Sequence, residues 1–345
     1  MRALQVTRNA RPTEACEVVD LPLPEPGPGQ VRVRVAAAAL NFNDLDRCHG
    51  RQVSIPMPPP FVLGMDVCGV VDAAGDGAEA WIGERVVAIT LMAQGGIAEY
   101  ALASVDMVFA APPELDDAEA AGFVIPYHTA HLALFERADL GADETLLVIA
   151  GASGVGSAAI QLGAAAGAHV VATAGGPAKT ELCRSMGAEL AIDHRSTSFP
   201  DAVFAHTDDV GADVVLDLAG GGFATDALRV TARGGRCVVA GFADDPDKGA
   251  GGIPLQTLSR ANISVLGVLC AYTGGLPPEI RHLGFNPFGR DTGEAVHADL
   301  LHLVAEGAVR PHIGRRVGID DAAATLEDHE ARTTMGRSVV EIDGD

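Results

Sequence analysis

Three short segments concentrate the side chains that could perform chemistry. The segment NFNDLDRCHG (41–50) holds two Asn, two Asp, a Cys and a His. Two later segments, MDVC (65–68) and YHTAH (127–131), add further Cys, His and Asp side chains. Cys, His and carboxylates are the ligands that zinc takes in proteins, but amides, hydroxyls and carboxylates also suit hydrogen bonding to an organic substrate. These residue types leave two possibilities open, a catalytic metal centre or a site that works without metal.

The most specific motif is the glycine-rich segment IAGASGVGSAAIQLG (149–163). Its Gly151, Gly154 and Gly156 lie between an apolar run and an Ala-rich helical pattern, although the spacing is not a strict G-x-G-x-x-G. Such a turn lets the backbone approach a pyrophosphate, and the helix N-terminus supplies N–H groups and a positive dipole end. Because strand, turn, helix and second strand follow in order, the segment predicts dinucleotide binding rather than a plain tight turn.

The end of the second strand indicates which nicotinamide is bound. The segment HVVATAGGPAK (169–179) lacks the Asp or Glu that usually binds the ribose 2′-hydroxyl of NAD. Thr173 and Gly175 offer a hydroxyl and open space instead, and Lys179 and His194–Arg195 supply positive charge nearby. Cations and space suit a 2′-phosphate, so the sequence predicts NADPH as the cofactor.

The elements that must position these groups fall into two kinds. The segment QVRVRVAA (30–37) alternates with period two, and short apolar runs around glycine turns follow at 67–75 and 84–90, which predicts an irregular β-barrel. Later apolar runs, at 145–149, 214–221, 235–242 and 263–269, are continuous and predict a parallel sheet covered on both faces.

Helical spacing appears in two places outside the glycine-rich motif. Residues 116–138 read as a helix interrupted at Pro126, and residues 297–311 read as a helix that ends at Gly307. The Gly- and Pro-rich segment 273–291 predicts a loop that covers the substrate pocket. The segment SVVEI (338–342) predicts a final strand.

Composition narrows the class of protein. The net charge of −22 argues against nucleic acid as a partner, because an acidic chain repels phosphate backbones. The six cysteines form no Cys-x-x-Cys pair, which favours free thiols in a reducing compartment. The N-terminal segment lacks the apolar core of a signal peptide, and no window approaches a membrane span. We therefore expect a cytoplasmic protein.

The chain resembles the medium-chain dehydrogenase/reductase superfamily over nearly its whole length. The resemblance rests on motifs that appear in that family's order, namely NFND, LGMDVCGVV, GIAEYA, AAGFVIPYHTAHLAL, AGASGVG, ATAGGPAK, GGRCVVAGF and GAVRPHIG…MGRSVVEI. It implies an α/β fold, with a GroES-like irregular β-barrel catalytic domain and a Rossmann domain with a doubly wound parallel sheet. The expected catalytic domain is 1–122, completed by 268–345, and the expected Rossmann domain is 123–267.

The resemblance bears on the metal question. At the three positions where zinc members of the family place ligands, this chain has Asn41, Met65 and Ala121. An amide, a thioether and a methyl group make no zinc ligand set, and the family's structural lobe of four closely spaced Cys is absent from the sequence. We therefore expect a site without metal.

The resemblance also implies roles for particular residues. Asn41 and Asp44 match an N-x-x-D motif beside the nicotinamide; Asn41 could donate to the substrate, and Asp44 could act in catalysis or tie two loops together. Tyr127 could donate to a substrate carbonyl or could simply pack at a helix start. The expected cofactor-binding residues are Phe42, Asn43, Thr129, Ser153, Gly154, Val155, Gly156, Thr173, Gly175, Lys179, His194, Arg195, Gly241, Phe242 and Leu269.

The zinc-free branch that the chain most resembles is the NADPH:quinone oxidoreductase group. This predicts hydride transfer to a quinone or another reactive α,β-unsaturated carbonyl, in a homodimer joined at ISVLGVL (263–269). Two alternatives remain, an enoyl thioester reductase of a biosynthetic pathway and a non-catalytic cofactor-binding relative. Enoyl-thioester reductases carry a Tyr acid just after the glycine that corresponds to Gly50, where this chain has RQV (51–53).

Overall fold

The computed structural model describes residues 1–51, 57–244 and 255–342. It divides into two compact units. One, here called the barrel unit, runs over residues 1–125, 271–305 and from 310 onward; the other, the Rossmann unit, runs over residues 126–270 and 306–309.

In chain order the strands are β1 (Arg2–Val6), β2 (Cys16–Asp20), β3 (Gln30–Ala39), β4 (Phe61–Val62), β5 (Asp66–Ala74), β6 (Arg85–Ile89), β7 (Tyr100–Ser104), β8 (Val108–Ala110), β9 (Thr145–Ile149), β10 (His169–Ala174), β11 (Leu190–Asp193), β12 (Ala212–Asp217), β13 (Thr231–Val239), β14 (Ser264–Gly267), β15 (Tyr272–Thr273), β16 (Phe288–Gly289), β17 (Ile313–Val317) and β18 (Arg337–Glu341). The α-helices are α1 (Pro12–Ala15), α2 (Phe42–Cys48), α3 (Asp117–Ala121), α4 (Val124–His131), α5 (Gly154–Ala165), α6 (Pro177–Ser185), α7 (Phe199–His206), α8 (Ala224–Val230), α9 (Leu255–Ala261), α10 (Pro278–His282), α11 (Arg290–Ala305) and α12 (Ala322–Glu330).

The barrel unit is built on a long, mostly antiparallel sheet. Its strand order is β17-β18-β3-β5-β6-β8, with β7 also paired to β3, and a smaller sheet has the order β2-β1-β4. The alternation predicted over 30–37 appears in β3, where Val31, Val33 and Val35 are buried. These valines enter a core with the apolar faces of β1, β5 and β6, so the period-two pattern directs one face of each strand inward.

The Rossmann unit has a six-stranded parallel sheet of order β11-β10-β9-β12-β13-β14. The strand order reverses between β9 and β12, and the carboxyl ends of strands beside such a reversal are where open α/β sheets bind ligands. Asp217, the last residue of β12, pairs in register with Ile149, the last residue of β9. The glycine-rich turn that follows β9 therefore begins at this point of the sheet.

Three predicted segments differ from the structure. The helical pattern over 116–138 breaks at Gly122, which caps α3, and not at Pro126, which lies in the first turn of α4. A proline is tolerated there because N–H groups in the first turn have no acceptor within the helix. The segment 273–291 is not only a loop, because it contains α10 and β16, and the helix predicted from 297 begins at Arg290.

None of the helices within the described ranges combines the length and the apolar character that a transmembrane helix requires.

Candidate functional site

The turn that begins α2 is held by a buried carboxylate. Asp44 Oδ2 accepts a hydrogen bond from the Asn41 backbone N–H at 2.9 Å, and Asp44 Oδ1 accepts one from the Gly64 backbone N–H at 3.0 Å. Asp44 is fully buried, and burial raises its pKa. Asp44 thus joins the start of α2 to the segment that precedes β5, as expected of the loop-tying alternative for this residue.

Next to this turn lies a buried polar cluster formed by Asn41, Asp66 and Arg337, here called the buried network. Asn41 Nδ2 donates to Asp66 Oδ1 at 2.6 Å. Arg337 donates to Asp66 Oδ2 at 2.7 Å and to Asn41 Oδ1 at 3.0 Å. Asp66 is 0% exposed, and Asn41 and Arg337 are each 8% exposed, so the carboxylate and the guanidinium compensate each other away from water.

The charge state of the network follows from the balance between burial and pairing. Burial raises the pKa of Asp66 to about 6, while the Arg337 guanidinium and the Asn41 amide act in the opposite direction. The Arg337 guanidinium, 2.7 Å from Asp66 Oδ2, favours the carboxylate form of Asp66. The cluster is an ion pair fixed by an amide rather than a neutral hydrogen-bonded group.

The hydrogen-bonding groups of the Asn41 side chain are already engaged within the protein, so few remain for a substrate. Asn41 Nδ2 donates to Asp66 Oδ1 at 2.6 Å and to the Ala39 carbonyl at 3.2 Å, and the amide oxygen accepts from Arg337. The predicted donation from Asn41 to a substrate would require one of these bonds to exchange. Sequence reasoning did not find Asp66 or Arg337, although a charged residue inside an otherwise apolar strand pattern is a signal for a buried pair.

The three positions at which zinc relatives carry ligands hold different groups here. Ala121 is buried in α3, Asn41 belongs to the buried network, and the Met65 sulfur lies 3.8 Å from Asn43 Nδ2. Over residues 1–51, 57–244 and 255–342, the structure contains no group of three or more His, Cys, Asp or Glu that could hold a metal ion. The donor chemistry at these positions does not fit zinc.

The glycine-rich turn after β9 has the geometry of an anion cradle. Ser153 caps α5, and its hydroxyl accepts from the Gly156 backbone N–H at 3.1 Å. A Cβ at Gly156 would lie 2.3 Å from the Ala150 carbonyl oxygen, so only glycine fits this position. Gly154 and Val155 form the partly exposed first turn of the helix, where N–H groups and the helix dipole favour an anion.

Thr173 takes part in this turn from the inside. Its side chain is fully buried, and its hydroxyl oxygen accepts from the Ala150 backbone N–H at 3.3 Å. The Thr173 carbonyl accepts from the Gly151 N–H at 2.8 Å. The structure therefore places Thr173 as a tie between β10 and the glycine-rich turn, which differs from the predicted role of offering its hydroxyl to a phosphate.

At the end of β10 the structure brings two predicted cationic side chains to Gly175. A Cβ built on Gly175 would lie 2.9 Å from Arg195 Nε and 3.2 Å from His194 Nε2. Arg195 is exposed, and the His194 ring packs edge-on against Phe223, with 5.1 Å between ring centroids. Lys179 is half-buried in the first turn of α6. Gly175, His194 and Arg195 are here called the cation corner.

Asp193 fixes the backbone of the cation corner, and sequence reasoning treated this residue only as part of an apolar stretch. Its Oδ1 accepts from the Gly176 N–H at 2.9 Å and from the Arg195 N–H at 3.0 Å. These two bonds lower the pKa of Asp193, with the Gly176 bond making the larger contribution. The Gly176 N–H is therefore directed to a carboxylate, and the positive charge at Gly175 comes from side chains.

The other predicted residues differ in burial: half-buried Phe42 and exposed Asn43 lie in α2 of the barrel unit, and the rest lie in the Rossmann unit. Tyr127 is 1% exposed, and its hydroxyl accepts from Gln161 Nε2 at 3.1 Å, which favours the packing alternative. Gly241 follows β13, where a Cβ would lie 2.3 Å from the Leu218 carbonyl oxygen. Phe242 is exposed, Leu269 is half-buried and Thr129 is buried. Gln52 and Val53 lie outside the described residues.

Comparisons with known sequence families identify both units. Residues 27–113 match the alcohol dehydrogenase GroES-like domain family, and residues 154–283 match the zinc-binding dehydrogenase family. The predicted fold class, a GroES-like barrel with a Rossmann domain, is confirmed by these matches and by the parallel sheet.

Several curated proteins are similar to this chain. The pig (Sus scrofa) quinone oxidoreductase is 34% identical over 53% of this chain and 55% of its own length, so the match spans about half of that relative. The cattle (Bos taurus) quinone oxidoreductase-like protein 2 is 30% identical over 88% of this chain and 82% of its own length. A mycocerosic acid synthase-like polyketide synthase of Mycolicibacterium smegmatis is 32% identical over 98% of this chain but 15% of its own length.

Solved structures give a similar result. A probable oxidoreductase from Mycobacterium abscessus has a TM-score of 0.82 at 32% identity and covers 99% of this chain and 98% of its own. The quinone oxidoreductase of Thermus thermophilus, also solved as its NADPH complex, has a TM-score of 0.78 at 32% identity and covers 99% of this chain and 100% of its own. Both likenesses extend over both units.

Proposed function

The chain belongs to the medium-chain dehydrogenase/reductase superfamily, in its quinone oxidoreductase-like branch, and on this basis we propose that it is an NADPH-dependent oxidoreductase. Its substrate is a quinone or another reactive α,β-unsaturated carbonyl, and its reaction needs no metal. When bound, NADPH supplies a hydride from its nicotinamide ring. The observation that carries the proposal is the cation corner, where Arg195 and His194 lie against Gly175 at the end of β10.

The residues present suit NADPH. The first turn of α5 would hold the pyrophosphate, because the partly exposed Gly154 and Val155 lie at the helix N-terminus, where N–H groups and the helix dipole favour an anion. The cation corner would hold the 2′-phosphate, because a guanidinium pairs with phosphate through charge-assisted hydrogen bonds. No carboxylate stands at the end of β10 to favour NAD, and the Asp193 carboxylate is engaged with backbone N–H groups.

The barrel unit supports a reaction without metal. The groups at Asn41, Met65 and Ala121 do not fit zinc. The Asn41 side chain is hydrogen-bonded to both members of the ion pair between Asp66 and Arg337. We assign Asn41 and Asp44 a positioning role, since Asp44 holds the start of α2 and the buried network fixes Asn41. Quinone reduction can take its protons from solvent after hydride transfer, so this role does not require a protein acid.

The alternative, an enoyl reductase, is favoured by one specific observation. The polyketide synthase of M. smegmatis is similar to this chain over 98% of the length of this chain. After hydride transfer to an enoyl thioester, the product must take up a proton on carbon. An acidic side chain positioned near that carbon would assist this step. Tyr127, whose hydroxyl is already bonded to Gln161, is poorly available for it.

A parallel substrate assay tests the proposal. NADPH oxidation is followed with 1,4-benzoquinone, 9,10-phenanthrenequinone, 2-hexenal and crotonyl-CoA. We expect the quinones to react fastest and crotonyl-CoA slowest. Faster oxidation with crotonyl-CoA would select the enoyl reductase, and tight NADPH binding with no turnover of any substrate would select a non-catalytic relative.

We also propose a homodimer joined through β14. This strand is at the edge of the six-stranded sheet, and Val265 and Leu266 on it are half-buried in the single chain. An edge strand with unpaired backbone groups and apolar side chains favours pairing with a second copy. Multi-angle light scattering at micromolar concentration should give twice the chain mass, and a monomer would contradict the proposal.

A further inference from the structure

Two cysteines that are far apart in the sequence meet in the barrel unit. The sulfur atoms of Cys16 and Cys48 lie 3.6 Å apart, and both residues carry free thiols. Cys16 is the first residue of β2, and Cys48 is the last residue of α2. The distance is that of a hydrogen-bonded or van der Waals contact between thiols, and the sulfur atoms must approach by about 1.5 Å to reach bonding distance.

The backbone around the pair is fixed by hydrogen bonds. The Ala10 N–H donates to the Cys48 carbonyl at 2.9 Å, and the Thr7 N–H donates to the Ala15 carbonyl at 2.8 Å. Ala15 and Cys48 also belong to the barrel core, against which Cys16 packs. The fold therefore holds the two sulfur atoms together, which gives each thiol a high effective concentration for the other.

The two thiols differ in access. Cys48 is fully buried, whereas Cys16 is partly exposed. The hydrogen bond with the Cys16 thiol, together with burial, raises the pKa of Cys48. An oxidant from solvent would meet Cys16 first, and Cys48 would then be the partner that resolves the oxidised sulfur.

We propose that Cys16 and Cys48 are a modification site at which a peroxide oxidant forms a reversible intramolecular disulfide. The Cys16 thiolate attacks hydrogen peroxide, so that an S–O bond forms, the O–O bond breaks and hydroxide leaves to become water. The Cys48 sulfur then attacks the Cys16 sulfur, so that the S–S bond forms, the S–O bond breaks and a second water leaves. In sum, two thiols and one hydrogen peroxide give one disulfide and two waters.

The cross-link would close a ring that contains all of α2. Asn41 and Asp44 lie inside this ring, and oxidation would tie the C-terminal end of α2 to the start of β2. Local opening of α2 would then require β2 to move with it. We therefore expect the backbone amides of α2 to exchange with deuterium more slowly in the oxidised protein.

Mass spectrometry of the full chain tests the site. Reduced protein is treated with hydrogen peroxide, quenched with catalase and alkylated under denaturing conditions. We expect loss of two hydrogens, two fewer alkylated cysteines of the six, and a peptide that links residues 16 and 48, all reversed by dithiothreitol. The variant Cys16→Ser should not form the link, whereas Cys270→Ser, which removes another partly exposed thiol, should form it as the wild type does.

Other results would overturn the inference. These are oxygen adducts on Cys16 without a cross-link, a disulfide that joins Cys16 to a cysteine other than Cys48, or a cross-link only between chains. Because peptide mapping of the wild type decides among these outcomes, the conclusion does not depend on the folding of either variant. The result is also independent of which substrate or cofactor the protein uses.

Discussion

In the barrel unit the charged groups near the candidate site are paired and buried, as Asp66 and Arg337 show, whereas in the Rossmann unit Arg195 is exposed beside a glycine. The first arrangement already satisfies its own charges and is suited to fixing geometry. The second leaves the Arg195 guanidinium exposed beside Gly175 and is suited to receiving an anion. We infer that the barrel unit fixes the geometry of the site, whereas the Rossmann unit binds an anion. The following variants test this contrast.

The largest expected effect comes from breaking the buried pair. Arg337→Met leaves the Asp66 carboxylate buried without its counter-charge, which costs about 3–5 kcal/mol in other proteins. Urea unfolding should show a large drop in the free energy of unfolding. The control is Arg2→Met, whose pair with Asp320 at 3.2 Å is solvent-exposed and should matter little. Equal effects of the two variants would mean that the network does not stabilise the barrel unit.

A second effect concerns acid stability. Burial lowers the pKa of His297 from 6.5 to about 4, and its ring stacks on Phe109, with 4.8 Å between centroids. Between these two pH values the folded state binds fewer protons than the unfolded state. The contribution of neutral His297 to the free energy of unfolding is therefore complete above pH 6.5 and is lost as the pH falls towards 4. The loss is about 3 kcal/mol from the shift in pKa.

The variant His297→Gln isolates this contribution. The glutamine amide can still donate to the Ala110 carbonyl, which the His297 ring contacts at 2.8 Å. The difference in unfolding free energy between wild type and variant should therefore shrink between pH 6.5 and 4. A parallel offset between the wild-type and His297→Gln curves would contradict the assignment.

The cation corner predicts a change of cofactor preference. Gly175→Asp adds a Cβ 2.9 Å from Arg195 Nε, so the Arg195 side chain must shift. The new carboxylate beside the guanidinium would pair with it and repel the 2′-phosphate. Each lost charge-assisted contact is worth about 1.5–3 kcal/mol, or roughly 10- to 100-fold in NADPH affinity. NADH affinity should rise, because an Asp at this position suits the ribose 2′-hydroxyl.

Lys179→Ala should weaken NADPH binding and leave NADH binding nearly unchanged. Arg184→Ala is the matched control, since it removes a cation from the same helix whose charge is directed to Glu181. Fluorescence titration of both cofactors measures all four proteins. Equal affinity of the wild type for NADPH and NADH would mean that these cations do not reach the phosphate.

A smaller effect separates the hydrogen bonds of Asp193 from its charge. Asp193→Ala removes both backbone bonds and should loosen Arg195, which would raise the NADPH dissociation constant roughly five-fold. Asp193→Asn retains an acceptor oxygen and removes a negative charge near the phosphate, so NADPH should bind at least as tightly as in the wild type. If both variants lose NADPH affinity equally, the carboxylate charge matters more than the backbone bonds.

The smallest expected effect is none at all. Dialysis against a strong chelator should leave both activity and the free energy of unfolding unchanged, because the Asn41, Met65 and Ala121 positions do not fit zinc. Elemental analysis of the purified protein should find no stoichiometric zinc. One zinc per chain, lost together with activity, would show that metal is held by residues other than these.

The contrast between the units also explains what the sequence could predict. The glycine-rich turn is a local requirement of the backbone, visible at Gly156, and the order of strand, turn, helix and second strand in the sequence predicts it. The buried network joins Asn41 at the start of α2 to Asp66 on β5 and Arg337 on β18. A charged residue in an apolar strand pattern signals burial, but it does not tell which distant residue is the partner. The predicted helix break at Pro126 was wrong for another reason. Proline predicts a helix break unless the start of the helix is known, and Pro126 lies in the first turn of α4, where proline is tolerated.

The position of β18 has a consequence for synthesis. This strand lies between β17 and β3 in the sheet and carries Arg337 to Asp66, so the barrel unit is completed by residues near the C-terminal end of the described chain. The sheet strands of the Rossmann unit, by contrast, have all been synthesised by residue 267. We expect the Rossmann unit of the nascent chain to fold before the barrel unit, and Asp66 to lack its guanidinium partner until residue 337 has been synthesised.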